Sequence, residues 1–460
     1  MPSLINGLKG HHTPVCTMKP LRVFVALCLG FSWQMAALAQ SVGEVEFARG
    51  AGFAQTGTQS PRILGKGLAL LEGDRLTTAD GASAIVRLSD GTRMTLRPSS
   101  EIVFQQYKFV TNAPDNSMVM QLLRGGLRAI TGLISKSSPD AVRLRTATAT
   151  IGIRGTDFDA RLCATDCAAE STRVVERPRA NAVQASAKLV GVQGDVSALD
   201  ASGARRRLVD GGSVYPGEIV ETGNSSRGML AFRDDSRLTL GATSRFRVDS
   251  FVFDEKNPSE GRFLMSLLRG SVRALTGLIG KANTRNVAFN TPTATIGIRG
   301  TGLDLDCPSE ASCSFYTWLG SIEVTPLGQN NMQVLEVGQG LVVGPSGSQP
   351  LSGPTLQELP RPDTVPVDTR QLFDSVSLGD GEPGLFVLVR EGHIQVTTAL
   401  ETLHLGRGEA GFAGNNGTVV RPTLTPLFLE FDRTPLPNSR NPLLVSVLGD
   451  AGVRASNQCR

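Results

Sequence analysis

One nine-residue block occurs twice in this chain, and the rest of the sequence is laid out around the two copies. Residues 148–156 read TATIGIRGT, and residues 293–301 read the same 145 positions later. Upstream, LLRGGLRAITGLISK (Leu122 to Lys136) and LLRGSVRALTGLIGK (Leu267 to Lys281) agree at 11 of 15 positions with the same offset. Further back, LSDGTRMTL from Leu88 aligns with FRDDSRLTL from Phe232, and LEGDRLTT from Leu71 with YPGEIVET from Tyr215, both at offset 144. The second copy therefore carries one extra residue between these blocks. A period of roughly 20 to 50 residues would spell a solenoid array, whereas this much longer one makes each copy a whole domain.

The pattern inside a copy is that of β-strands. Ala84, Val86 and Leu88 alternate, Asp90-Gly91 turns the chain, and Met94 and Leu96 resume the alternation. Ile102 and Phe104 continue it, and Met118, Met120 and Leu122 form another such set. The leucine spacing in LLRGGLRAITGLI also fits a helix, but two glycines inside one cost about 2 kcal/mol. Two short strands bent at Gly125-Gly126 are expected instead. With 51 glycines and only 5% aromatics, the composition suits many short strands joined by tight turns. The expected fold is all-β, as a solenoid-like roll or a sandwich.

Lys19 and Arg22 precede the apolar run from Val23 to Phe31, and Ala37-Leu38-Ala39 follows. That is the layout of a secretory signal peptide cleaved after Ala39, with Met18 a better start than Met1. The run is shorter than the roughly 20 residues a membrane helix needs, so no span is expected after cleavage. Removal of residues 1–39 leaves 43 basic and 42 acidic side chains. Near neutrality argues against a nucleic-acid partner, which calls for a strong basic field. The run Arg205-Arg206-Arg207 is the local exception and reads as a charged strand edge.

The expected layout is a signal peptide at 1–39, one domain at 40–185, a second at 186–344, a proline-rich linker at 345–371, a partial β module at 372–434 and a tail at 435–460. Six prolines between Pro345 and Pro366 make that stretch extended and unfit for a sheet interior. In the partial module, Leu385 to Val396 reads as a hairpin, and Leu403 to Gly408 repeats a closing L-x-x-G.

Little in the chain points to catalysis. There is no G-x-S-x-G, no S-x-x-K and no cysteine with a histidine partner, and the acid pairs Asp234-Asp235 and Asp254-Glu255 fall in turns. No catalytic residue, cofactor site or metal site is assigned. His393 and His404 could face each other across strands, but a metal site needs three or four ligands. Cys163 and Cys167 follow the first IGIRGT, and Cys307 and Cys313 follow the second. In an exported chain two local disulfides are the expectation, with Cys459 left over.

The opening G-E-V, the L-x-x-G-D, the D-G-T/S-R turn, the L-x-x-G and the T-x-x-A-T-I-G-I-R-G-T together resemble the FecR domain, over roughly residues 42–160 and 189–340. The resemblance implies an extracytoplasmic β-rich domain that relays a receptor's state to a sigma-factor system, and it favours the roll over the sandwich. A cytoplasmic helical anti-sigma region is not evident, so the expected role is an exported, non-enzymatic envelope protein. It would bind a protein or glycan partner in the periplasm or at the cell surface. The alternative is a structural or adhesive envelope spacer.

The duplicated blocks, Ile151-Gly152-Ile153-Arg154-Gly155-Thr156 and Ile296-Gly297-Ile298-Arg299-Gly300-Thr301, are expected to be structural. Ile153 should enter the core, and Arg154 should leave from the other face. Both copies place an acid at the same downstream position, so each arginine is expected to pair locally, Arg154 with Asp159 and Arg299 with Asp304, or with loop carbonyls. Binding of an anionic ligand is the functional alternative for these arginines.

Overall fold

The computed structural model describes residues 41–430 apart from 139, 175, 176 and 380, and without the side chains of Arg370 and Glu430. The signal peptide and the tail with Cys459 lie outside the described residues. No described helix is long and apolar enough to cross a membrane.

The described chain is mostly β, in two fifteen-stranded sheets. The second sheet uses an unbroken run of chain, from strand Ala187–Gln193 to strand Gly347–Leu351. The first uses every strand from Ser41–Arg49 to Thr150–Cys163 and then four that follow the second sheet: Gly384–Thr397, Thr402–Leu405, Ala410–Gly414 and Val419–Val420. The second copy is inserted into the first.

The partial module expected at 372–434 therefore does not stand alone. Gly384–Thr397 runs antiparallel along Thr150–Cys163, from Thr150 opposite Thr397 to Cys163 opposite Gly384. In the second copy the same place is taken by Ser312–Pro326, the next strand in sequence, against Ala294–Ser309. The remaining partners match as well: Thr402–Leu405 and Ala410–Gly414 flank the first of these strands as Gln333–Leu335 and Gly340–Gly344 flank the second. The module supplies the closing strands that copy one lacks.

Three long strands organise each copy, and each bends at a glycine with positive φ. In copy one these are Gly125 (φ 74°), Gly155 (59°) and Gly392 (87°). In copy two they are Gly270 (85°), Gly300 (63°) and Gly320 (70°). L-residues rarely adopt this conformation, and glycine does so freely. Pairing changes at each bend. Before Gly125, strand Ser117–Ile130 pairs with Glu101–Lys108 and Val142–Arg145; after it, with Arg93–Leu96 and the second half of Thr150–Cys163. The expected bend at Gly125-Gly126 is thus present inside one continuous strand.

Each bend also shifts the inward alternation by one residue, as a β-bulge does. Met118, Met120 and Leu122 give way to Leu127 and Ala129, and Ile151 and Ile153 give way to Phe158 and Ala160; all are buried in one core. Copy two has its own core, with Ile296 and Ile298 giving way to Leu303 and Leu305. A sheet whose two halves face the same core has folded back over itself.

The proline-rich stretch begins as an edge strand, with Pro350 opposite Leu341, where a missing N–H is tolerated. It is not a free linker beyond that point. Arg273 donates to the carbonyls of Leu356 (2.9 Å) and Leu359 (2.7 Å), supplying hydrogen bonds that a proline-rich backbone cannot find in a sheet.

Candidate functional site

Because copy two is threaded into copy one, the two sheets meet along a seam formed by the closing strands of copy one and the opening strands of copy two. At its centre lies a buried charge triad. Lys188, on the first strand of copy two, and Glu409, in the closing turn of copy one, are fully buried, and Arg421 is 1% exposed. Glu409 accepts from Lys188 Nζ at 3.0 Å and from Arg421 Nε at 2.8 Å. Lys188 and Arg421 also donate to the His404 carbonyl. Burial pushes the Lys188 ammonium down to about 8 against the pull of Glu409. Burial alone would raise the Glu409 carboxyl, but the two cations hold it below its usual range.

Neutral contacts extend the seam. Asn181 donates to the carbonyls of Ala410 and Pro422 and accepts from the Ala410 N–H. Tyr215 Oη accepts from the Arg407 N–H at 2.8 Å. The turn at Gly211 packs on the His404 ring so closely that a Cβ there would overlap it. His393 and His404 do face each other across strands, with ring nitrogens 3.3 Å apart. Burial, then the nearby cations, holds both in the neutral form, with His404 adding to the effect on His393 and His404 itself down at about 4. Among the described residues no third histidine, cysteine or carboxylate joins them as a metal cluster.

Above the triad the seam opens into a cleft of about 550 Å³. One wall carries Lys136, Arg154 and Glu391 from copy one. The other carries Arg205, Arg206 and Arg207 from copy two, and Arg407 closes the end beside Tyr215. Arg206 is held by Glu218 (2.6 Å) and the Ser213 carbonyl. The Arg407 guanidinium lies 4.7 Å from the Tyr215 ring centre, within cation–π range.

The sequence profile of the family described as FecR protein matches residues 74–176 and 218–323. The chain carries two FecR domains in tandem. No curated protein matches it. Among solved structures, two crystal structures of a proposed anti-sigma factor from Parabacteroides distasonis, at 1.65 and 2.50 Å resolution, align at 13% identity and a TM-score of 0.24. Each alignment covers 29% of this chain and 59% of that one.

The structure separates the arginines of the FecR signature from the acids expected to pair with them. Arg154 pairs with Asp140 at 2.6 Å, and Arg299 pairs with Glu323. Asp159 pairs instead with Arg390 at 2.6 Å, and Asp304 with Arg273 at 2.9 Å. The bend is the reason. Arg154 sits before Gly155, opposite His393, whereas Asp159 sits after it, opposite Leu388 and Arg128. Burial raises the carboxyls of both Asp159 and Asp304 despite these arginines. Ile151, Ile153, Ile296 and Ile298 are buried. Thr156 donates to the His393 carbonyl, and Thr301 to that of Ser321, so the signature threonine ties each bent strand to its partner.

The sulfurs of Cys163 and Cys167 are bonded, as are those of Cys307 and Cys313. Cys307–Cys313 joins the ends of a hairpin. In copy one the chain leaves after Cys163 to build copy two, and Cys167 sits in the short helix Cys167–Ser171. The acid pairs are turn caps: Asp234 accepts from the Ser236 N–H and hydroxyl, and Asp254 from the Lys256 N–H. Sequence reasoning missed Lys188, Glu409, Arg421 and Tyr215. One signal was available for Glu409, because the closing L-x-x-G of copy two holds a neutral Gln339 where copy one holds this acid.

Proposed function

We propose that this chain is an exported, non-enzymatic envelope protein whose FecR domains sense or bind a protein or glycan partner in the periplasm or at the cell surface. The observation that carries the reading is the family match over both copies. Two bonded cysteine pairs suit an oxidising compartment. The buried triad across the seam supports a sensor that presents both FecR surfaces in fixed relation. In this reading the IGIRGT blocks are hinges that shape the sheets, each copy is a roll, and residues 40–185 form one unit with residues 372–434.

Fractionation of cells followed by crosslinking and pull-down from envelope extracts tests the proposal. The expected result is a chain beginning at Gln40 in the envelope fraction, with a specific partner recovered. Recovery in the cytoplasm with residues 1–39 attached would overturn it. Export without any partner, together with loss of cell-surface integrity on deletion, would favour the structural spacer.

A further inference from the structure

The cleft between the FecR copies holds more cationic charge than its own carboxylates neutralise. Among the described residues Lys136 and Arg407 have no carboxylate partner, and both are exposed. Arg154 is held only by Asp140, whose side chain is 78% exposed, and Arg207 only by an exposed Asp195 at 3.4 Å. Exposed pairs of this kind contribute little and exchange readily. Of the lining acids, Glu218 is committed to Arg206, and Asp200 accepts from its own turn. Among the described residues Glu391 and Asp200 are the lining carboxylates with no cation partner, two against the six lining cations.

Comparison of the copies shows that this charge is particular to the seam. In copy two Glu323, opposite Gly297, pairs with Arg299. The corresponding position in copy one, opposite Gly152, is the neutral Gln395. Copy one thus lacks the cross-strand acid that quenches the signature arginine, on the side where the cleft opens. Arg407 likewise stands where copy two has Val337. The cations come from three separate segments, the short helix Leu133–Ser137, the signature strand and the closing hairpin, and they converge with an arginine-rich edge from the other copy.

We infer that this cleft binds a small oligoanion carrying at least two carboxylate or phosphate groups, with Lys136, Arg154, Arg207 and Arg407 as its cationic contacts. Guanidinium forks suit such oxyanions, and the volume admits a compact ligand of this kind. The inference goes beyond partner binding and does not depend on it.

Isothermal titration of the full purified chain at low salt, with tripolyphosphate in one arm and trigalacturonate in the other, tests it. At least one probe should bind, and binding should weaken as salt rises. The double variant Lys136→Ala/Arg407→Ala should weaken binding by at least about tenfold with little change in melting temperature, since both side chains are exposed and neither is ion-paired among the described residues. Arg299→Gln, at the equivalent place in copy two, should leave binding unchanged. Preference for one probe identifies the source of the anion. Absence of binding in both arms, or binding indifferent to the double variant, overturns the site. Neither result bears on whether the FecR surfaces engage an envelope partner.

Discussion

Gly392 and Gly155 face each other where two bent strands of the first FecR copy cross, and a methyl on Gly392 would overlap the Gly155 carbonyl oxygen. Gly320 and Gly300 stand in the same relation in the second copy. At Gly392 and Gly320 positive φ and steric overlap act together, so alanine at either should cost at least about 2 kcal/mol. Thermal melts of Gly392→Ala and Gly320→Ala measure this. A shift of under a degree in both would mean that the strands bend without these glycines.

The arginines separate by burial, not by motif. Arg273 is 8% exposed, and its removal strands a buried Asp304 and two carbonyls. Arg273→Ala should therefore cost about 3 to 5 kcal/mol. Arg299, in the duplicated signature, pairs at the surface, and Arg299→Ala should cost under about 1 kcal/mol. Urea denaturation of the two variants gives the contrast, and equal costs would contradict the geometry.

Glu409 neutralises two buried cations at once. Glu409→Gln leaves Lys188 and Arg421 facing each other without an anion, at an expected cost of about 3 to 5 kcal/mol. Adding Lys188→Met should restore much of that loss, because one buried charge is then gone. Additive destabilisation in the double variant would show that the triad is not the coupling.

His404 should make the protein acid-sensitive. Its folded pKa of about 4 lies below the usual 6.5, so between these values the unfolded chain binds more protons than the folded one. Stability is then complete at pH 7 and falls as pH drops from 6.5 toward 4. The slope is up to about 1.4 kcal/mol per unit and the total about 3 kcal/mol. His404→Gln should flatten that part of the stability–pH curve. A curve of unchanged shape would mean that His404 is protonated in the folded state.

Much of the fold was legible. The duplicated blocks marked both FecR copies, and the cysteine pair that follows each signature marked both disulfides. The bends were legible too, since the apolar alternation moves from Ile151 and Ile153 to Phe158 and Ala160 across Gly155. The pairing of Arg154 with Asp159 failed because that bend sends the two residues to different neighbours. Proximity in sequence could not reveal that Arg390, more than 200 positions away, lies against Asp159. The closing strands of copy one were misassigned for the same reason. Their pattern was visible, but nothing local tells a strand which sheet it will join. The cleft was only half visible, because the arginine run was plain while Lys136 and Arg407 gain meaning only from what the insertion sets beside them.

The insertion also fixes an order of assembly. Copy two has all its strands once the chain reaches Leu351, but copy one must wait for Gly384–Thr397. Until then strand Thr150–Cys163 has no neighbour along one side, and a long unpaired edge invites association with other chains. Closing that contact late, across a large separation in sequence, is slow. As the chain emerges, the inner domain is complete while the outer one still gapes, so a nascent chain halted before residue 384 would leave a finished core within an unfinished, sticky shell.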